Sequence, residues 1–106
     1  MEKLKDIKKL RGKDRKYLRG LAHSLTPVVI IGHEGLTDAI IKTVDKALND
    51  HELIKIRFNK FKEEKKELSS KIESSTSSEM VGMIGNVAIF YRMNRDEKKR
   101  KIHIPE

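Results

Sequence analysis

The chain has 106 residues and a formal net charge of +8, with 38% charged against 37% hydrophobic residues, which gives room for one domain with a modest core under a heavily charged surface. No run approaches the roughly 18 apolar residues of a membrane span, and the opening MEKLKDIKKLRGKDRK lacks the apolar region of a secretory signal. Cysteine is absent, which excludes disulfides, thiolate catalysis and thiolate metal sites and fits a cytoplasmic protein.

Residues 1–9 read as a loose basic extension. Within residues 1–23, nine Lys/Arg stand against three Asp/Glu. The spacing predicts a first helix over residues 13–25. Its apolar stripe is Tyr17, Leu18, Leu21, Ala22 and Leu25, and Lys13, Arg15, Lys16, Arg19 and His23 supply its basic flank. Pro27 stops it, because proline disfavours α geometry in the residue before it. Residues 28–31, VVII, form a continuous apolar run that predicts a strand buried on both faces. The sequence Gly32-His33-Glu34-Gly35 breaks that strand. Thr37 is the expected N-cap of a second helix, with Asp38 in its first turn. That helix should reach about residue 49, with Ile40, Ile41, Val44, Ala47 and Leu48 inside and Lys42, Asp45, Lys46 and Asn49 in water.

Residues 53–59 alternate. Ile54, Ile56 and Phe58 point one way and Lys55, Arg57 and Asn59 the other, which predicts a half-buried strand with a basic outer face. A polar third helix over residues 62–75 is held by Leu68 and Ile72, with Phe61 at its start. Residues 74–78 read as a Ser/Thr loop. Two strands, residues 80–84 and 87–91, flank Gly85-Asn86, a two-residue hairpin signal. A basic loop follows over residues 92–101. Residues 102–104 would add a short C-terminal edge strand closed by Pro105. The result is a compact single-domain α/β fold, α-β-α-β-α-β-β, with a mixed four-stranded sheet. Its first two strands should be parallel and its last two antiparallel.

The chemistry points to phosphate. A G-x-x-G loop that opens directly into a helix presents backbone N–H groups and a helix N-terminus at one place. The competing account is a tight turn that needs positive φ and holds no ligand. Arg15 and Arg19 offer forked donors and Lys16 a point charge. Lys55 and Arg57 would extend this surface. Glu34 and Asp38 are acidic, so contact at the loop should rest on backbone N–H groups, on His33 and on the neighbouring helix. Tyr17 and Phe58 are assigned to the core, which leaves no aromatic pair for stacking and implies recognition by shape and backbone. His23, His33, His51 and His103 show no ligand spacing, and no nucleophile elbow, Walker loop or carboxylate dyad is present. No enzyme, metal, cofactor or small-molecule substrate is expected.

Four stretches in order, RKYLRGLAHSLTPVVIIGHEGLT, ALNDHELIKIRF, MVGMIGNVAIFYR and KRKIHIPE, resemble a bacterial CRM-domain protein of the YhbY type. The resemblance implies a fold like KH modules and the C-terminal domain of translation initiation factor three. It implies RNA binding, and association with precursors of the large ribosomal subunit in the cytoplasm. The family loop falls on Gly32, His33, Glu34 and Gly35, with Thr37 opening the helix. The family's basic helix falls on Arg15, Lys16, Arg19 and His23, its HELIK motif on His51 to Lys55, and its closing YR on Tyr91 and Arg92. The expected partner is ribosomal RNA, bound by a monomer away from any membrane. An adaptor docking an acidic ribosome-associated protein fits the same basic surface.

Overall fold

The structure is a computed structural model, and it describes residues 9–106. The basic extension expected over residues 1–9 falls outside the described residues except at Lys9. Three helices and a four-stranded mixed sheet follow in the expected order. They are α1 (Gly12–Ala22), β1 (Val29–Ile31), α2 (Asp38–His51), β2 (Leu53–Phe58), α3 (Lys65–Thr76), β3 (Glu79–Ile84) and β4 (Val87–Tyr91). Two single 3₁₀ turns, Lys62–Glu64 and Glu97–Lys99, lie in the connections. The strand order is β1-β2-β4-β3, with β1 parallel to β2 and the other pairs antiparallel.

The alternation in β2 divides the core into two. Ile54, Ile56 and Phe58 face α2 and α3, where they pack with Val29, Ile31, Val44, Leu48, Ile72, Ala88 and Phe90. On the other face Leu53, Val81, Ile89 and Tyr91 pack against Leu10, Leu18 and Ala22 of the α1 segment. Ile102 and Ile104 close that second cluster from the C-terminal segment. Side chains such as Leu18 and Phe58, fully shielded from water, each contribute about 1.5–3 kcal/mol.

Caps set the helix starts. Asp14 Oδ2 accepts from the backbone N–H of Arg11 at 2.9 Å, and Arg11 Nε donates to the same oxygen at 3.2 Å. The Arg11 bonds hold the Asp14 carboxyl below its ordinary range. Thr37 is the N-cap of α2, accepting from the Ile40 N–H at 3.1 Å. Gly85 takes φ +58 at the first position of the β3–β4 turn, where hairpins favour glycine.

Four local expectations are corrected. β1 is not buried on both faces, because it is an edge strand and Val28 and Ile30 are 47% and 52% exposed. Tyr17 is not core. Only Leu18, Ala22 and Asp14 of α1 are buried, while Tyr17, Leu21 and Leu25 stay exposed because one helix face meets the sheet. The Ser/Thr stretch is mostly helix, since Thr76 and Ser74 return their hydroxyls to carbonyls four residues back and Ser77 ends α3 at φ +56. Residues 102–104 form no strand. The N–H of Ile102 is captured by a side chain instead, at 2.9 Å from Glu52 Oε1.

Glu52 is fully buried at the α2–β2 junction, with φ +66. Its carboxylate accepts from the N–H groups of Asn94 at 2.6 Å, Lys101 at 2.7 Å and Ile102 at 2.9 Å. Its carbonyl accepts from Arg92 N at 2.8 Å. Glu52→Ala orphans three N–H donors, that of Asn94 buried, and should cost about 3 kcal/mol. Denaturant unfolding checks the loss. Amide exchange should rise first in residues 94–104 and leave α2 and α3 protected.

Burial, and then the nearby Glu52 charge, push the Tyr91 hydroxyl up to about 12 from its ordinary 10.0. The folded state therefore holds this proton more tightly than the unfolded chain. Its contribution is complete below pH 10 and declines as pH rises from there towards about 12. Tyr91→Phe should flatten that part of an alkaline stability profile.

Candidate nucleic-acid interface

Register decides which side chains share the α1 face of the sheet. Ile30 pairs with Arg57, Arg57 with Val87, and Val87 with Ile84. Paired residues point the same way, so these four form one row across all four strands. The next row contains Lys55, Ile89 and Gly82, and α1 covers it. Gly82 makes this approach feasible. A Cβ there would stand 2.5 Å from Arg19 Cδ. Lys55 Nζ donates to the carbonyls of Leu25 at 2.9 Å and His23 at 3.4 Å, which ties down the end of α1.

The row of Ile30, Arg57, Val87 and Ile84 lies beyond α1 and is open. Ile30 is 52% and Ile84 67% exposed, Arg57 is exposed, and Val87 is half-buried. Arg19, whose stem lies on Gly82 of the neighbouring row, stands on the α1 side, whereas Lys16 shares with Tyr17, Gly20 and Leu21 the face of α1 turned away from the buried Leu18 and Ala22. On the other side the chain leaves the sheet at three neighbouring places. Ile31 leads into the glycine loop, and its carbonyl accepts from Asn59 N at 3.0 Å and Lys60 N at 3.2 Å. Phe58 N donates to Asn86 O at 2.7 Å, and Lys65 Nζ bonds the Gly85 carbonyl at 2.8 Å.

The glycine loop is a tight turn. Gly35 N donates to Gly32 O at 3.0 Å, and Gly35 sits at φ +75, so this N–H is used within the turn. The two glycines are unequal. A Cβ on Gly35 would touch the Phe61 ring at 3.4 Å, whereas one on Gly32 meets nothing within 4 Å. His33 and Glu34 are exposed at the tip.

The remaining expected site residues divide by engagement. Arg15 pairs with Glu79 and donates to the Met80 carbonyl at 3.2 Å, and Arg19 donates to the Val81 carbonyl at 2.9 Å. Both dock α1 on β3 as well as carrying charge. Lys13 Nζ donates to the Glu106 carbonyl. Lys16 and Arg57 are exposed and make no ion pair among the described residues. Thr37 is held as a cap. Arg92 is not brought to this face. It bonds Asp45 Oδ1 at 2.6 Å and the Thr76 carbonyl at 2.7 Å, joining α2 to the end of α3.

Sequence reasoning missed Lys60 and Lys62, exposed beside the glycine loop, and the apolar members of the open row. The alternation of β2 placed Arg57 correctly. The run VVII hid the exposure of Ile30, because a wholly apolar run carries no mark of which face is covered. Elsewhere, an open groove of about 480 Å³ between α2 and α3 is lined by Leu36, Ile41, Asp38, Glu67 and Lys71 among others, a composition without excess positive charge. Asp50 is held below the ordinary carboxylate range by its bond to Lys46. No group of three or more His, Asp or Glu among the described residues could hold a metal ion, and no helix is long and apolar enough to cross a membrane.

A family model described as the CRS1/YhbY (CRM) domain matches residues 10–92, which include both sides of the open row. The chain belongs to this family. An "RNA-binding protein" of Haemophilus influenzae is 38% identical over 90 residues, 84% of this chain and 91% of the relative. The Bacillus subtilis protein YqeI, named a "Probable RNA-binding protein", is 33% identical over 85% of this chain and 95% of its own length. The solution structure of SAV1595 from Staphylococcus aureus superposes with a TM-score of 0.73 at 37% identity, covering 90% of this chain and all of that one.

The unequal glycines of this CRM domain give a direct test. Gly35→Ala forces a side chain into the left-handed region against Phe61 and should destabilise by about 1–2 kcal/mol. Gly32→Ala should leave the unfolding midpoint nearly unchanged. Equal losses in denaturant unfolding would refute the asymmetry.

Proposed function

We propose that this chain binds RNA, and that its target is ribosomal RNA in precursors of the large subunit. It acts as a monomeric single domain in the cytoplasm and assists subunit assembly. The observation that carries the reading is one placement. Arg57 stands exposed within the open row of the sheet, Arg19 lies on neighbouring Gly82, and β1 runs from that row into the loop of Gly32, His33, Glu34 and Gly35, in a chain of net charge +8 to which exposed Lys16 and its neighbours on α1 contribute. The names of the relatives support RNA as the partner. The family resemblance supports the ribosomal target.

Electrostatics dominates such binding. Each phosphate contact displaces condensed counterions, so affinity falls as salt rises. Lys13, Arg15, Lys55 and Arg92 contribute to the field while holding structure, and Thr37 orients the N-terminus of α2. Lys16 and Arg57 are the residues to reverse, because neither supports the fold through an ion pair among the described residues. Reversing Arg15 or Arg19 would also detach α1 from β3 and confuse the readout.

In cells, crosslinking and sequencing of RNA bound to the tagged protein should place reads in large-subunit ribosomal RNA. Lys16→Glu combined with Arg57→Glu should remove that enrichment while leaving the unfolding midpoint within about 0.5 kcal/mol of wild type. Reads spread over messenger and transfer RNA would refute the ribosomal target. Unchanged enrichment in the double variant would refute the surface.

A further inference from the structure

The open row is more apolar than a surface made only for phosphate. Ile30 and Ile84 are 52% and 67% exposed, and Val87 lies between Ile84 and Arg57 in register. A duplex would bring backbone and 2′-hydroxyl groups to such a face, and these gain nothing from aliphatic side chains. Unstacked bases do gain, because each carries an apolar ring face. The row spans four strands, about 14 Å at the usual strand spacing, and a four-stranded sheet elsewhere takes about two or three bases on its face.

We propose that the row of Ile30, Arg57, Val87 and Ile84 is a floor for two or three unpaired RNA bases. Arg57 lies flat against a base or bonds its edge, and Arg19, on Gly82 of the neighbouring row, holds a phosphate. The inference rests on the RNA-binding reading and narrows it to single-stranded segments such as loops, bulges and ends. Charge selects this occupant over a second copy of the chain. A contact between two copies through the row would bury Arg57 of each copy in a row that contains no carboxylate to pair with it. It also distinguishes the floor from the uncharged apolar patches that bind other proteins, since Arg57 stands within the row and Arg19 lies on Gly82 beside it.

The test uses the full chain, a short single-stranded RNA of mixed sequence, and the same strand annealed to its complement. Wild type should prefer the single strand by roughly tenfold or more. Ile84→Ser and Ile30→Ser should each weaken single-strand binding by about fivefold to tenfold, with an unchanged salt slope. Lys16→Gln should instead lower that slope by about 0.7, one phosphate contact on a single strand. Ile84 guards against a folding artefact, because at 67% exposure beside the turn its loss leaves the core untouched. Equal affinity for both RNAs, together with unchanged binding by the serine variants, would overturn the floor while leaving RNA binding intact. Binding of neither RNA would overturn both readings. A wild-type dimer in sedimentation that Ile84→Ser dissociates would assign the row to self-association and overturn the floor.

Discussion

The arrangement depends on Glu52. A glutamate with φ +66 is costly for the backbone, and a carboxylate without water contact needs partners for its lone pairs. Both demands are met at once. The unusual φ turns the chain sharply from α2 into β2, with Glu52 N still bonded to the Leu48 carbonyl at 2.8 Å. The side chain then collects three N–H groups from a segment more than forty residues further on. Those bonds place Ile102 and Ile104 against the second core cluster. That cluster seats α1. Without it the basic flank of α1 would have no fixed relation to the sheet.

α1 is held by polar bonds as well as by burial. Only Leu18, Ala22 and Asp14 of the helix are buried, which is little area for a helix of eleven residues. Arg15 and Arg19 supplement it by donating to carbonyls of β3, next to the bulge between Met80 and Gly82. The bulge adds a residue to β3, and glycine at position 82 lets the Arg19 stem lie on the strand. These arginines therefore give charge and position together. A guanidinium with five donors can bond a carbonyl and still face a phosphate with the rest.

This division of labour explains what could be read in the sequence. Helix and strand order were legible, because the periodicities of α2 and β2 and the turn signals at Gly35 and Gly85 are local. The parallel β1–β2 pair followed from one intervening helix. Exposure was less legible. Tyr17, Leu21 and Ile30 have the residue types of a core, but tertiary covering decides their burial, and α1 leaves Ile30 and Ile84 exposed. Residues 102–104 resemble a strand in composition, yet Glu52 takes the N–H of Ile102. A carboxylate fifty residues away leaves no mark in a local pattern.

The G-x-x-G loop is shaped first by the needs of its own turn. Two glycines flanking a polar pair suggest a phosphate cradle, yet Gly35 is required by its own φ and by the Phe61 ring, and its N–H closes the turn. Glu34 at the tip places negative charge where a phosphate would arrive. Gly32, where a Cβ would meet nothing within 4 Å, is the position free to admit a backbone closely. The favourable charge near the loop comes from Lys60 and Lys62, held beside it by the paired bonds of Asn59 N and Lys60 N to Ile31 O. These lysines make no ion pair with Glu34 among the described residues, so they offset its charge only through water. A loop neutralised in this way steers little by itself. Its physical contribution is shape: it ends β1, orients the N-terminus of α2, and bounds an open sheet face on which Arg57 and the α1 flank supply the charge.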